Sequence, residues 1–206
     1  MSIIKNNSME IISKEIAVRP SVRKAAHLDI DGIMDVACSV GNSNKIPRVG
    51  FLMDDYTQNY NYFKRLFLKL IMELDNFYVI ESNSIIGFLI AYTKEQWLIY
   101  NPDWLGDIIW SPQFDVKKVD NFVLVDKIAV RNGLTGKGLG SLLYKTLVPN
   151  IKKKNVCNLF SETLISPKPN FASLEFRNKQ DYKLAGIRYE SYKGTVYTDL
   201  VYHKQI

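Results

Sequence analysis

The residues best able to do chemistry lie between Asp126 and Glu162. The run Val130-Arg131-Asn132-Gly133-Leu134-Thr135-Gly136-Lys137-Gly138-Leu139-Gly140 sets Gly136, Gly138 and Gly140 at alternate positions, where an apolar segment hands over to a helical one. Glycines there let successive backbone N–H groups converge, and the first turn of the helix adds free amides and a positive dipole end. Such a turn can hold a phosphate; a tight turn without a ligand is the alternative. Two carboxylates accompany it, Asp126 before the turn and Glu162 on the next predicted strand. Either could serve as a general base.

Spacing separates this turn from other phosphate loops. A nucleotide-triphosphatase loop needs Gly, four residues, then Gly-Lys-Ser/Thr. Here Gly133 is too close to Gly136-Lys137, and Gly138 stands where Ser or Thr belongs. The dinucleotide fingerprint needs a glycine spacing of one and then three, which Gly136, Gly138 and Gly140 do not have. Cys38 and Cys157 are isolated, and His27 and His203 lie far apart with no nucleophile pattern near either. No metal site, disulfide or Ser-His-Asp arrangement is expected, and the two cysteines read as small buried hydrophobes in a reduced, cytoplasmic protein.

The elements that must position these residues follow from periodicity. Residues 1–14 read as a frayed tail, and 15–19 as a strand stopped by Pro20. Ile30, Ile33, Met34 and Ala37 recur at helical spacing, and the polar stretch 41–47 ends that helix. Tyr56, Tyr60, Phe63, Phe67, Leu70, Ile71 and Leu74 form one face of a second helix behind Asp54 and Asp55. Residues 77–81 and 85–93 read as a hairpin about an Asn-Ser turn. Residues 94–120 hold Trp97, Trp104, Trp110, Pro102 and Pro112 without a clean period. That pattern predicts a structured aromatic insertion loop, with the three tryptophans either binding substrate or covering core. Next come a strand over 122–130, the glycine turn, a helix over 138–154, a strand over 156–164, a short helix over 171–179 and a terminal hairpin turning near 193–195. A strand-helix-strand order implies a parallel pair. The class is α/β, with one domain over 15–206.

The 206 residues, 47% of them hydrophobic, suffice for one sizeable core. A net charge of +6 is spread along the chain, with Lys152, Lys153 and Lys154 as the one basic triplet. A solvated helix end or a phosphate-bearing ligand accounts for it, and no nucleic-acid partner is expected. No apolar run approaches the roughly 18 residues that span a bilayer, so no membrane partner is expected either.

The strand Val125-Asp126-Lys127-Ile128-Ala129-Val130 leading into Gly136-Lys137-Gly138-Leu139-Gly140 resembles the acetyl-CoA motif of the GNAT superfamily of N-acetyltransferases, written Gln/Arg-x-x-Gly-x-Gly/Ala. Gly138 and Gly140 match its glycines, and Thr135 stands in place of Gln or Arg. Downstream, Asn170-x-x-Ser173-x-x-Phe176 and Tyr182 resemble the second signature, with Arg177 where many members carry a Tyr and Asp181-Tyr182 in place of Gly-Phe. Within the superfamily the chain is similar to a group of bacterial acetyltransferases of unassigned acceptor. The resemblance implies a mixed sheet of six to seven strands with flanking helices, and direct transfer of an acetyl group from acetyl-CoA to an amine. It implies a cofactor set of Ile128, Ala129, Val130, Thr135, Gly136, Lys137, Gly138, Leu139, Gly140, Asn170, Ser173 and Phe176. Asn170 could instead be the N-cap of its helix. Glu162 and Asp126 are the candidate bases, Trp97, Trp104 and Trp110 the candidate acceptor contacts, and no metal is implied. A monomer or homodimer is expected. A CoA-binding module of the same fold without turnover is the alternative, motivated by Arg177.

Overall fold

Alternation along the strands explains why the sheet is covered on both faces. In β2 (Asn76–Glu81) and β3 (Ile85–Thr93) almost every residue is buried. Phe77, Val79, Phe88 and Ile90 point to one side, while Tyr78, Ile80, Leu89 and Ala91 point to the other. Strands buried on both faces need a helical layer on each. The first layer is α1 (Ile30–Val40) and α2 (Tyr60–Glu73), which bury Ile33, Met34, Phe67 and Leu70 against the Phe77 side. The second is α5 (Leu139–Lys152), which buries Leu143, Leu147 and Ile151 against the Tyr78 side.

The structure, a computed structural model, describes residues 19–192 and 194–206. Around β2 and β3 the described residues add β1 (Ser21–Lys24), α3 (Lys94–Tyr100), α4 (Trp104–Asp107), β4 (Ile108–Trp110) and β5 (Val123–Val130). After α5 come β6 (Asn158–Ser166), α6 (Phe171–Lys179), β7 (Lys183–Tyr192) and β8 (Thr195–Gln205). All eight strands form one sheet in the order β1-β2-β3-β5-β6-β8-β7-β4. Only β5 and β6 pair in parallel, as the strand-helix-strand order requires.

Three expectations change. The sheet has eight strands rather than six or seven, because β4 adds to the edge of β7 through Ile108↔Arg188 to Trp110↔Gly186. The segment 94–120 is therefore not a loop: Thr93 caps α3 in a capping box with Gln96, and β4 follows. The first described strand begins at Ser21, just after Pro20. The tail 1–14 and residues 15–18 of the expected strand lie outside the described residues. Cys157 is exposed, not buried, and Cys38 is half-buried.

One ion cluster fixes the entrance of α1. Asp29 accepts hydrogen bonds from Arg23 Nη1 at 2.6 Å, Arg23 Nη2 at 2.7 Å and the Ala26 amide at 2.7 Å. Arg23 also donates to Glu81 at 2.7 Å, so β1, β2 and the start of α1 share one guanidinium. The Arg23 hydrogen bonds hold the Asp29 carboxyl below its usual range against the opposing effect of burial. A carboxyl depressed in the folded state stabilises above its unfolded pKa of about 3.9 and loses that contribution as pH falls through the folded value. Asp29→Asn should therefore cost about 2 kcal/mol near neutral pH. The gap to the unmodified chain, followed by urea denaturation, should close below about pH 4.

Candidate active site

The site is built where β5 and β6 stop being neighbours. Their parallel ladder holds only Val123↔Leu159 and Leu124↔Phe160. Beyond it, β5 carries a bulge: Ile90 of β3 faces Lys127 and Ala91 faces Val125, which leaves Asp126 as the extra residue. A bulge bends its strand and turns neighbouring side chains to the same side. Accordingly Lys127 Nζ reaches Asp126 Oδ2 at 2.8 Å. At the fork the fully buried Ser161 donates from Oγ to the Val125 carbonyl at 2.8 Å, replacing the ladder bond that the diverging strands lose.

The fork opens into a cleft of about 610 Å³, well within the range of small-molecule sites. Asp126, Ile128, Ala129 and Val130 line it from β5, Glu162 and Thr163 from β6, and Ser173, Phe176 and Arg177 from α6. Its roof is the segment 48–54, which leaves α1 and crosses to the start of α6. There Asn170 Nδ2 donates to the Phe51 carbonyl at 2.9 Å and the Ala172 amide donates to the Pro47 carbonyl at 3.1 Å. Asn170 Oδ1 meanwhile accepts from the Ser173 amide at 3.2 Å, so Asn170 is the N-cap of α6 and its amide is committed to the protein. Ser173 borders the cleft with its hydroxyl 3.0 Å from that of Thr163.

The glycine turn forms one end. Gly133, Gly136 and Gly138 adopt φ of +84°, +80° and +79°, conformations that a side chain resists. No atom lies within 4 Å of a Cβ placed at any of the three. Leu142 makes the first helical bond of α5 to the Gly138 carbonyl, and no side chain caps the helix. The first-turn amides are therefore presented together, which is the geometry that receives a phosphate. Gly140 serves a different purpose: a Cβ there would lie 2.9 Å from Phe176 Cε2, so this glycine admits α6. Thr135, Gly136, Gly138, Leu139 and Gly140 line the cleft. Lys137 instead lines an adjoining hollow of about 270 Å³ with Arg19 and Lys145.

The other end is acidic. Glu162 Oε1 accepts from Arg188 Nε at 2.7 Å and from Trp104 Nε1 at 3.1 Å. Arg188 also donates to Glu190 at 3.0 Å. Burial raises the Glu162 pKa, and the contacts with Arg188 and Trp104 only partly offset it. Asp199 of β8 lies opposite Arg188 in the ladder. Its carboxyl is pushed up to about 7, chiefly by burial and then by the charge of Glu162, with Arg188 opposing. In Lys127, burial pulls the pKa down, but the Asp126 carboxylate outweighs it and the net direction is up.

Between the two ends sits a buried cation. Arg177 is 2% exposed; its Nη1 donates to Tyr144 Oη at 2.7 Å, and that hydroxyl lies 3.1 Å from Tyr182 Oη. The guanidinium lies 5.3 Å from the Tyr182 ring centre and 5.8 Å from that of Phe176. Its Nε has no partner, and among the described residues no carboxylate pairs with it.

The structure thus brings the glycine turn, Ile128 to Val130, Ser173, Phe176, Asp126 and Glu162 to one cleft. It does not bring the tryptophans there. Trp97 and Trp104 are core residues, 9% and 2% exposed, and Trp104 packs edge-on to Trp97, Trp110 and Phe160. Trp104 reaches the site only through the hydrogen bond that it donates to Glu162 from behind. Sequence reasoning missed Ser161, the roof 48–54 and the Arg188, Glu190 and Asp199 group. The last had one available signal: charged residues at every second position of a terminal strand, Arg188 and Glu190, point to one face.

Scanned by sequence, the chain matches no family model and no curated protein. Solved structures do match over nearly its whole length. Ard1 from Thermoplasma volcanium superposes with a TM-score of 0.61 at 16% identity, covering 92% of this chain and 99% of that one. The PaiA N-acetyltransferase of Thermoplasma acidophilum, solved with coenzyme A, gives 0.60 at 17%, covering 91% and 99%. A GNAT-family acetyltransferase from Desulfovibrio desulfuricans gives 0.59 at 14%, covering 92% and 99%. The chain has the GNAT acetyltransferase fold.

The glycines should separate by mechanism. Gly138→Ala strains only the backbone and should cost about 1 kcal/mol. Gly140→Ala drives a methyl into Phe176 and should cost about 1–3 kcal/mol. Urea denaturation of the two variants checks the order.

Proposed function

We propose that the chain is an acetyl-CoA-dependent N-acetyltransferase that passes an acetyl group directly to an amine. The observation that carries this reading is the fork between β5 and β6, with a phosphate-receiving turn at one end and a half-buried carboxylate of raised pKa at the other. The glycine turn and the first-turn amides of α5 would hold the pyrophosphate. Ile128, Ala129 and Val130 would flank the arm of the cofactor, whose bound thioester supplies the activated acetyl group. Beyond Val125, whose carbonyl Ser161 holds, β5 has no ladder partner in β6, so amides that point to that side are available to a developing oxyanion.

Glu162 takes the proton of the amine. Its raised pKa makes it a stronger base than an ordinary carboxylate, while Arg188 and Trp104 fix its orientation. Asp126 is tied to Lys127 and keeps the bulge in place. The acceptor end holds Glu162, Glu190 and Asp199 against the single charge of Arg188, which favours an acceptor bearing positive charge beyond the reacting amine. A second reading, cofactor binding without turnover, is favoured by Arg177 in the place where the resembled family carries a Tyr.

Calorimetry should show CoA binding that Gly138→Glu abolishes. Thiol release from acetyl-CoA over a panel of diamines, polyamines, peptides and acidic amines should favour the cationic acceptors. Glu162→Gln should lower kcat by roughly 10²–10⁴-fold with CoA affinity retained. In the unmodified chain, kcat should rise with pH as this base loses its proton. Binding without thiol release for any amine would select the second reading, and no binding would reject both.

A further inference from the structure

We infer that Arg177 is an electrostatic anchor for the sulfur of bound CoA, so that the thiol leaves as an anion and needs no proton donor in the cleft. This inference rests on the acetyl-CoA reading above. A guanidinium withdrawn from water without a counter-charge is costly, and buried arginines are ordinarily paired. Arg177 is 2% exposed, its Nε is unpartnered, and its one side-chain hydrogen bond goes to a neutral phenol. The titratable groups that interact with it are the phenols Tyr144 of α5, Tyr182 ahead of β7 and Tyr202 of β8. Burial pushes the Tyr182 and Tyr202 hydroxyls further from ionisation. The negative charge that this cation lacks must come from the ligand.

Position along α6 says which part of the ligand that is. Ser173 lies against Thr163, the residue after Glu162. Phe176 packs on Gly140, and Gln180 donates to Ser141 at the start of α5. Arg177 therefore borders the cleft between the carboxylate end and the phosphate end. The pyrophosphate is served by the glycine turn, and the arm between it and the thioester is neutral. The sulfur is the atom in that stretch that becomes negative. As the nitrogen–carbon bond forms and the carbon–sulfur bond breaks, the electron pair stays on sulfur. The amine proton goes to Glu162, and the thiolate takes its proton from water after release.

The thiol of CoA bound to the full chain can be titrated through the ultraviolet absorbance of its thiolate. With Arg177 present the bound thiol should ionise at least about one unit below an ordinary thiol, near 8.5. CoA should then gain about tenfold in affinity over desulfo-CoA as pH is raised through that interval. Arg177→Gln should abolish both effects with the affinity for desulfo-CoA unchanged, and Arg177→Lys should keep part of them. The comparison with desulfo-CoA needs only the unmodified chain and stands even where a variant does not fold. CoA bound with an unshifted thiol, or a shift that persists in Arg177→Gln, overturns the inference alone. Absence of CoA binding overturns the acetyl-CoA reading and this inference together.

Discussion

The hydrogen bond from Ser161 to the Val125 carbonyl governs the molecule's chemistry. Two parallel strands that run side by side satisfy each other's backbone and leave no room between them. Here the Asp126 bulge turns β5 away, and one buried hydroxyl takes the place of the first ladder bond that is lost. The sheet therefore stays sealed below the fork and opens above it. The surroundings follow from that opening. Ile128 to Val130 and Glu162 become walls, α6 has a groove to flank, and the roof has something to cover.

Around the opening the charges are arranged by burial. Glu162 meets the aromatic core through Trp104; burial raises its proton affinity, and Arg188 opposes that rise. Asp199 shares the same guanidinium from across the β8 strand and feels Glu162 as a like charge. Acidic groups thus compete for one cation at the acceptor end. Deeper in, Arg177 is the reverse case, a cation enclosed by phenols. The acidic end and the middle of the cleft are held at opposite electrostatic signs by residues from different strands and helices.

Much of this was legible in the sequence, and for identifiable reasons. Periodicity marked α2, β2, β3, β5 and α5 because each has a continuous apolar stripe. The glycine spacing marked the turn because no other residue tolerates φ near +80° so readily. The segment 94–120 misled because its aromatic residues pack a core made of distant strands, so their spacing follows that core and not their own helix. The tryptophans looked like a binding surface for the same reason. Asn170 was ambiguous from its type alone, since capping and ligand binding ask for the same amide; only the distances to Ser173 and Phe51 separate them. Asp199 and Arg188 were invisible because their importance comes from register. They meet Glu162 only once β6, β8 and β7 are laid side by side. Asp181 shows the limit of motif matching in the other direction. The motif expects glycine there, the backbone is left-handed at φ +60°, and Asp adopts it.

The double use of Asn170 has a consequence for how the acceptor side can be altered. The same amide begins helix α6 and fastens the segment that passes over the cleft, so the two parts share one joint. Exchanging the roof for that of another protein of this fold, in order to change what enters from above, also removes the Phe51 carbonyl that this joint grips. The start of the helix would be left with half of its bonding, and the shift would travel through Ser173 and Phe176 to the glycine turn. Roof and helix form one transplantable unit, and what the cleft admits from above is inherited together with the fit around the glycine turn.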